Sequence, residues 1–429
     1  MKKIYYLVLV VFASCRQQPI TNPQDYSRYL QPTPNTCLQQ IDEELGFWQN
    51  KLHNAPGDII SESKIASLYT RRFSYSGNIN EIHCADSLYR QVNYLNHTTN
   101  SGTFRSLAAN CITQHRFLQA KQYIDSALVL GDDKYLTVLM EFDVAMELGD
   151  RFRARKALNS ITDKSSFDYL IREAKYKDHV EGDLDAAISL MEKAFEKIKE
   201  NHNQGLYCWI KSNLGDFYGH ANRYQESYKC YLDVLATDPH YYHALKGIAW
   251  LAFSHDKDVT NARKIVAYLQ QRHPVPDYEL LLSQIAAAEH NSAQYKKHLG
   301  SFMTATHNAV YGGMYNKYLF NIEADELNNA PRCLQIAQEE VAHRPTPEAY
   351  SWLAWAYCRN GDISKAMATA QAHVAGKCFE PGALYYLGKI YQAGGENTKA
   401  RQYLKAAKES AYELGPVISG RITETLKAL

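Results

Sequence analysis

The chain has 429 residues, with 47 basic and 46 acidic side chains and a formal net charge of +1. That balance excludes the one-signed field of a nucleic-acid binder, and the length exceeds what one small core organises, so several domains or one long repeat array is required. Hydrophobic residues make up 45% and charged residues 22%, both ordinary values, while tyrosine is the outlier with 32 copies.

In chain order, the first stretch is MKKIYYLVLVVFASC: Lys2 and Lys3, an apolar run from Ile4 to Ala13, then small residues before Cys15. A run of about ten apolar residues is half of a bilayer span and reads as a signal peptide over residues 1–14. Phe12-Ala13-Ser14-Cys15 resembles the bacterial lipobox, with Phe12 in the usual leucine position. The resemblance implies lipidation of Cys15 and tethering to a membrane without embedding. Arg16, Gln17 and Gln18 lack the acidic cluster that resembles a surface-export signal. The expected location is therefore the outer membrane, facing the periplasm. Residues 15–40 carry Pro19, Pro23, Pro32 and Pro34 among Gln, Asn and Thr. This composition predicts a flexible linker holding the body roughly 28 Å from the bilayer.

Residues 41–65 read as an N-terminal capping segment, with a helix over Ile41–Leu52. From residue 66 to 415 a period of about 34 residues emerges. A first frame near Ala66 is marked by Tyr69, Leu88 and Tyr89. Frames follow at Ser101 (Leu107, Ala108, Ala120, Ala127), Tyr135 (Ala145, Gly149, Ala154) and Asp168 (Ala174, Gly182, Ala187, Ala194). The next begins at Cys208, later than the period requires. The surplus falls in KIKENHNQG, and the frame holds Leu214, Gly215, Tyr218, Tyr231 and Pro239. The frame at Tyr242 (Leu245, Ile248, Ala249) needs one extra residue in SHDKDVTNA. Frames near Asp277 and Met314 are degenerate. The clearest begin at Pro347 (Leu353, Ala354, Tyr357, Gly361, Ala366) and Pro381 (Leu387, Gly388, Tyr391, Gly395, Ala400, Ala407). Residues 416–429 read as a C-terminal capping helix.

The spacing has a mechanical sense. Positions 4, 7 and 11 form one stripe of a first helix, and positions 20, 24 and 27 the facing stripe of a second. Small residues at 8 and 20 let the axes approach, and a glycine near 15 ends the first helix. The pattern resembles the tetratricopeptide repeat (TPR), which implies an all-α, TPR-type α-solenoid of about ten antiparallel helix pairs.

The same resemblance implies a recognition groove on the concave face, lined by positions 2, 5, 9, 12 and 13 of each first helix. Those positions hold Tyr169, Tyr176, Trp209, Trp250, Phe253, Tyr278, Tyr315, Tyr318, Trp355 and Tyr385, with Arg172, Asp216, His220, Lys246, Arg359 and Lys389 between them. An aromatic row with spaced polar groups suits an extended peptide or a glycan chain. The carboxylate clamp of chaperone-binding TPR domains uses Lys at 5 and Asn at 9 and 12. Here Lys246 stands at 5, but Trp250 and Phe253 occupy 9 and 12, so that clamp is missing.

The expectation is a non-enzymatic scaffold or adaptor for a protein or peptide of the cell envelope. A glycan-binding lipoprotein resembling the SusD type is the alternative, and an enzyme with its site in Asp277–Arg344 is a third reading. Catalytic motifs are absent from the sequence, and no cofactor is expected. His240, His243 and His255 are the densest histidine group, but His255 lies about 18 Å along the helix axis from His243, so metal binding is not expected. Besides Cys15 there are eight cysteines without a CxxC. Cys84 with Cys111 and Cys333 with Cys358 have plausible pairing positions, and small core residues are the favoured reading.

Overall fold

A helix pair needs a sharp reversal, and this chain builds the same one ten times. In the computed structural model, which describes residues 18–200 and 202–429, the first helix of each pair ends on a residue of left-handed backbone. That residue is glycine at 77, 149, 182, 361 and 395, and His115, Asn222, Lys257, His290 or Asn328 in the other pairs. In seven pairs the next residue is Asp or Asn, whose side chain accepts a backbone N–H of the second helix, as Asp362 does from Lys365. The reversal is thus one motif: a left-handed residue ends one helix, and an acidic or amide cap starts the next.

The pairs run from Ile59–Ser76 with Ile79–Leu95 to Pro381–Ala393 with Asn397–Glu409. Among the described residues the secondary structure is entirely helical, as an all-α solenoid requires. The first helix ends in a wider π-helical turn at Lys177–Glu181, Leu251–His255 and Ile322–Glu326. The turn at Leu251–His255 absorbs the extra residue of the Tyr242 frame without breaking the period. No described helix is long and apolar enough to cross a membrane.

Left-handed backbone costs a non-glycine residue roughly 1–2 kcal/mol. Exposed His290, at φ 56°, carries that cost in the open. His290→Gly is therefore expected to stabilise the protein by about 1 kcal/mol in urea denaturation. An unchanged midpoint would refute the account of the turn.

The superhelix closes on itself. The turn of each of several pairs seats against the link that follows the fifth pair after it. Gly77 meets His273 and Val275, Gly149 meets Pro345 and Thr346, and Gly182 meets Phe379. At Gly182, with φ 69°, a Cβ would lie 2.6 Å from the Phe379 ring, so both backbone and space demand glycine. Polar contacts reinforce the closure. The Arg344 side chain donates to the Glu147 carbonyl at 3.0 Å and pairs with its carboxylate at 3.2 Å, and His83 Nε2 lies 2.8 Å from the Val310 carbonyl. Burial alone would raise the Glu147 carboxyl, but Lys175 and Arg344 hold it down at about 2.

Residues 18–34 do not form the expected linker. They are a strap docked on the sixth pair and its neighbours. The backbone amides of Ile20 and Thr21 and the Thr21 hydroxyl all donate to the Asp256 carboxylate, at 2.8, 2.9 and 2.6 Å. Tyr26 and Tyr29 are buried in the core formed with Tyr228, Ile265 and Leu269, and the carbonyls of Gln31 and Thr33 accept from Tyr268 and Arg272. The composition suggested coil, but two tyrosines and a buried carboxylate give the segment enough to bind. Cys15 and the leader lie outside the described residues.

Candidate functional site

The inner face of the coil encloses a chamber, and one wall is the chain's own C-terminus. The helix Ala411–Ala428 breaks at Gly415, φ 75°, and its first turn crosses the inside of the superhelix. Tyr412 packs against Tyr224, and its carbonyl accepts from Trp250 Nε1 at 3.1 Å and Ser254 Oγ at 2.7 Å. Leu414 and Ile418 then face the helices of the seventh, eighth and tenth pairs across open space. Two overlapping compartments result, of about 450 Å³ and 160 Å³. Ligand pockets commonly measure roughly 300–1,000 Å³, so the larger compartment is of ligand size and the smaller has room for a side chain.

The larger compartment holds more of the charged groups, and they are paired along the walls. His243 meets Asp216 at 2.8 Å, and Lys246 meets Asp277 at 2.7 Å. Lys317 meets Glu348 at 2.7 Å, and His179 meets Glu380 at 3.0 Å. Protein atoms surround these groups, all but His179 on the chamber wall, and the pKa shifts follow from that. Burial opposes ionisation of Asp277, but Lys246 overrides it and keeps the carboxyl below its usual range. The Lys317 ammonium is held up by Glu348. Glu413 lies 3.9 Å from His220, and its burial raises its pKa.

The smaller compartment is apolar, with Trp250, Tyr295, Trp352, Tyr385 and Tyr386 among its walls. Asp325, on the π-helical turn Ile322–Glu326, faces into it. It accepts from Trp355 Nε1 at 3.0 Å and Tyr386 OH at 3.3 Å, and burial raises its pKa.

Of the expected groove residues, the chamber brings together Trp250, Phe253, Tyr318, Tyr385 and Lys246, with Asp216 and His220. The others serve packing. Tyr278 is buried beside His273, and buried Tyr315 donates to Asp277 at 2.8 Å. Trp355 stacks on Tyr386 at 5.6 Å with Arg359 over its ring. Trp209 stands apart, exposed beside Phe167. Tyr278, Tyr315, Trp355 and Arg359 depart from the expected lining because the superhelix closes tightly enough for first-helix aromatics to contact neighbouring pairs, and Trp209 lies outside the chamber. Asp325 was readable: it falls at position 12 of the Met314 frame, a groove position. The C-terminal wall, with Glu413 and Leu414, has no signal in the repeat pattern.

The three histidines each have a different partner: His240 meets Thr33, His243 meets Asp216 and His255 meets Asp256. Among the described residues no three metal-binding side chains converge. The eight cysteines there are free thiols.

Residues 382–411, most of the tenth pair, match the family model for the tetratricopeptide repeat. The chain folds as an all-α, TPR-like superhelix, and one of its helix pairs matches the family model. No curated protein matches its sequence. Among solved structures, it is similar to PilW, a type IV pilus biogenesis factor, at 17% identity over 48% of this chain and 92% of that one, with a TM-score of 0.38. A tetratricopeptide repeat protein from Parabacteroides merdae aligns at 19% identity over 61% and 97%, with a TM-score of 0.35. Yeast Tom70 aligns at 11% identity over 95% and 96%, with a TM-score of 0.36.

Proposed function

We propose that this TPR protein is a non-enzymatic adaptor of the bacterial cell envelope, tethered to the outer membrane through lipid on Cys15 and holding a peptide segment of a protein partner in its chamber. The chamber carries the reading: it is continuous, open to solvent beside exposed Tyr318, and lined by aromatic rings with fixed charges around them. Rings supply most of the binding energy in such sites, and charges set register. The tether is short in this reading. Only residues 16–19 separate Cys15 from Ile20, whose amide is held by Asp256, so four extended residues allow about 14 Å. The array would then stand beside the bilayer, facing the periplasm. A glycan-binding role has less support, because Trp355 is buried against Tyr386 and Trp250 packs against Phe253 and Tyr412, so neither stands out as an open platform.

Crosslinking in intact cells, followed by capture of the full chain, is expected to recover one dominant envelope protein. Tyr318→Ala should lose that partner, and Cys15→Ser should move the chain into the soluble fraction. Membrane retention of Cys15→Ser would refute the anchor. A polysaccharide in place of a protein would overturn the peptide reading.

A further inference from the structure

We propose that the apolar compartment takes a cationic side chain, an arginine or lysine of the bound peptide, with Asp325 as its counter-charge. The inference rests on the peptide-binding reading above and adds the chemistry of one position within it.

Most carboxylates around the chamber already face a charged partner. Glu326, next to Asp325, pairs with Arg421 at 2.6 Å and accepts from Tyr295 OH at 2.8 Å. Glu348 pairs with Lys317, Asp277 with Lys246, and Asp216 with His243. Asp325 is different. Its acceptors are met by an indole N–H and a phenol, both neutral donors, and among the described residues no lysine or arginine forms an ion pair with it. A carboxylate in that position keeps its charge only at a cost that a cation would remove.

The walls select in the same direction. Trp250, Trp352, Tyr385 and Tyr386 surround the space in front of Asp325. Aromatic faces attract a cation and add to the attraction of the carboxylate. An anionic side chain would meet Asp325, Glu326 and Glu348 against one lining lysine, Lys317. A plain apolar side chain would fill the space but leave Asp325 without an ion-pair partner, with Arg421 and Lys389 acting on it only at longer range. The long apolar stems of lysine and arginine match a pocket that is greasy at its walls and charged at one point. The larger compartment, with Asp216, Asp277, Glu380 and Glu413 against the lysines Lys246 and Lys317, gives the rest of a basic peptide a complementary surface.

The test is isothermal titration of the full chain with four acetylated, amidated pentapeptides, Ala-Ala-Xaa-Ala-Ala, with Arg, Lys, Leu or Glu at the centre. The Arg or Lys peptide is expected to bind at least about tenfold tighter than the Leu and Glu peptides. Asp325→Asn, which keeps an acceptor for Trp355, should bring the Arg and Leu affinities within about twofold of each other. Should that variant fold poorly, wild-type binding of the Arg peptide is still expected to weaken as salt rises from about 0.05 to 0.5 M, while Leu binding does not. Equal binding of Arg and Leu peptides, or preference for Glu, overturns the inference and leaves the peptide chamber standing. No binding at millimolar concentration, with the crosslinked partner still lost in Tyr318→Ala, overturns the inference alone. Absence of any protein partner overturns the broader reading.

Discussion

Asp256→Ala is expected to release the N-terminal strap and to destabilise the protein by about 3–5 kcal/mol, the usual loss on breaking a buried charged network from one side. The Asp256 side chain is 1% exposed, and four donors meet it: the Ile20 and Thr21 amides, the Thr21 hydroxyl and His255 Nδ1. Bonds to a charged group contribute roughly 1.5–3 kcal/mol each, and donors left buried without an acceptor lose more than the bond itself. Once the amides are freed, the strap retains Tyr26, Tyr29 and the contact of Asn22 with Tyr228 OH. Release should therefore be local first. Hydrogen exchange at Ile20 and Thr21 should rise well before that of the helix Tyr242–Trp250, and protease should cut within residues 18–34. Unchanged protection at those two amides, or a loss below about 1 kcal/mol, would show that Asp256 does not hold the strap.

The strap also shows where sequence reading stopped. Proline, glutamine and asparagine are read as coil because they bury little, and over residues 18–34 that is true of most side chains. Two tyrosines decide the outcome, and their docking surface on the sixth pair lies in a distant part of the chain, around Tyr228, Ile265 and Leu269. No local pattern encodes a contact of that separation. The array itself was legible because its signal is local and repeated. Small residues at helix crossings and a left-handed reversal recur once in every helix pair. The frames faded where that reversal falls on His290 and Asn328 instead of glycine, although the geometry there is the same. A rule keyed to the Asp or Asn cap that follows would have registered both.

The chamber was half legible for a related reason. Groove positions can be counted within a pair, which located Trp250, Tyr318, Tyr385 and Lys246. Whether a ring at such a position meets solvent or a neighbour depends on how tightly the coil closes. That closure is set by contacts between a pair and the link five pairs later, such as Gly182 against Phe379, and repeat register says nothing about it.

Tyr412→Ala tests whether the C-terminal segment is a structural wall of the chamber. The ring is 7% exposed, lies 5.0 Å from Tyr224 and 6.5 Å from Trp250, and sits so close to Gly219 that a Cβ there would be 2.8 Å from it. Burial, ahead of nearby carboxylates such as Asp216, pushes its phenol well above the usual range. Removing such a ring costs about 3–5 kcal/mol through lost transfer energy and the cavity left behind. The effect should reach the chamber because the Tyr412 carbonyl is the acceptor for Trp250 Nε1 and Ser254 Oγ. Without the ring to seat it, the turn before Gly415 loosens, both bonds weaken, and Trp250 gains water. The fluorescence of the folded variant is expected to shift to the red, and the wall formed by Leu414 and Ile418 to become mobile. Tyr412→Phe keeps the ring and should cost no more than about 1.5 kcal/mol, with no red shift. If the two variants lose equal stability, the hydroxyl and not the ring holds the segment. If Tyr412→Ala leaves Trp250 unchanged, the C-terminal turn is an independent cap and the chamber keeps its shape without it.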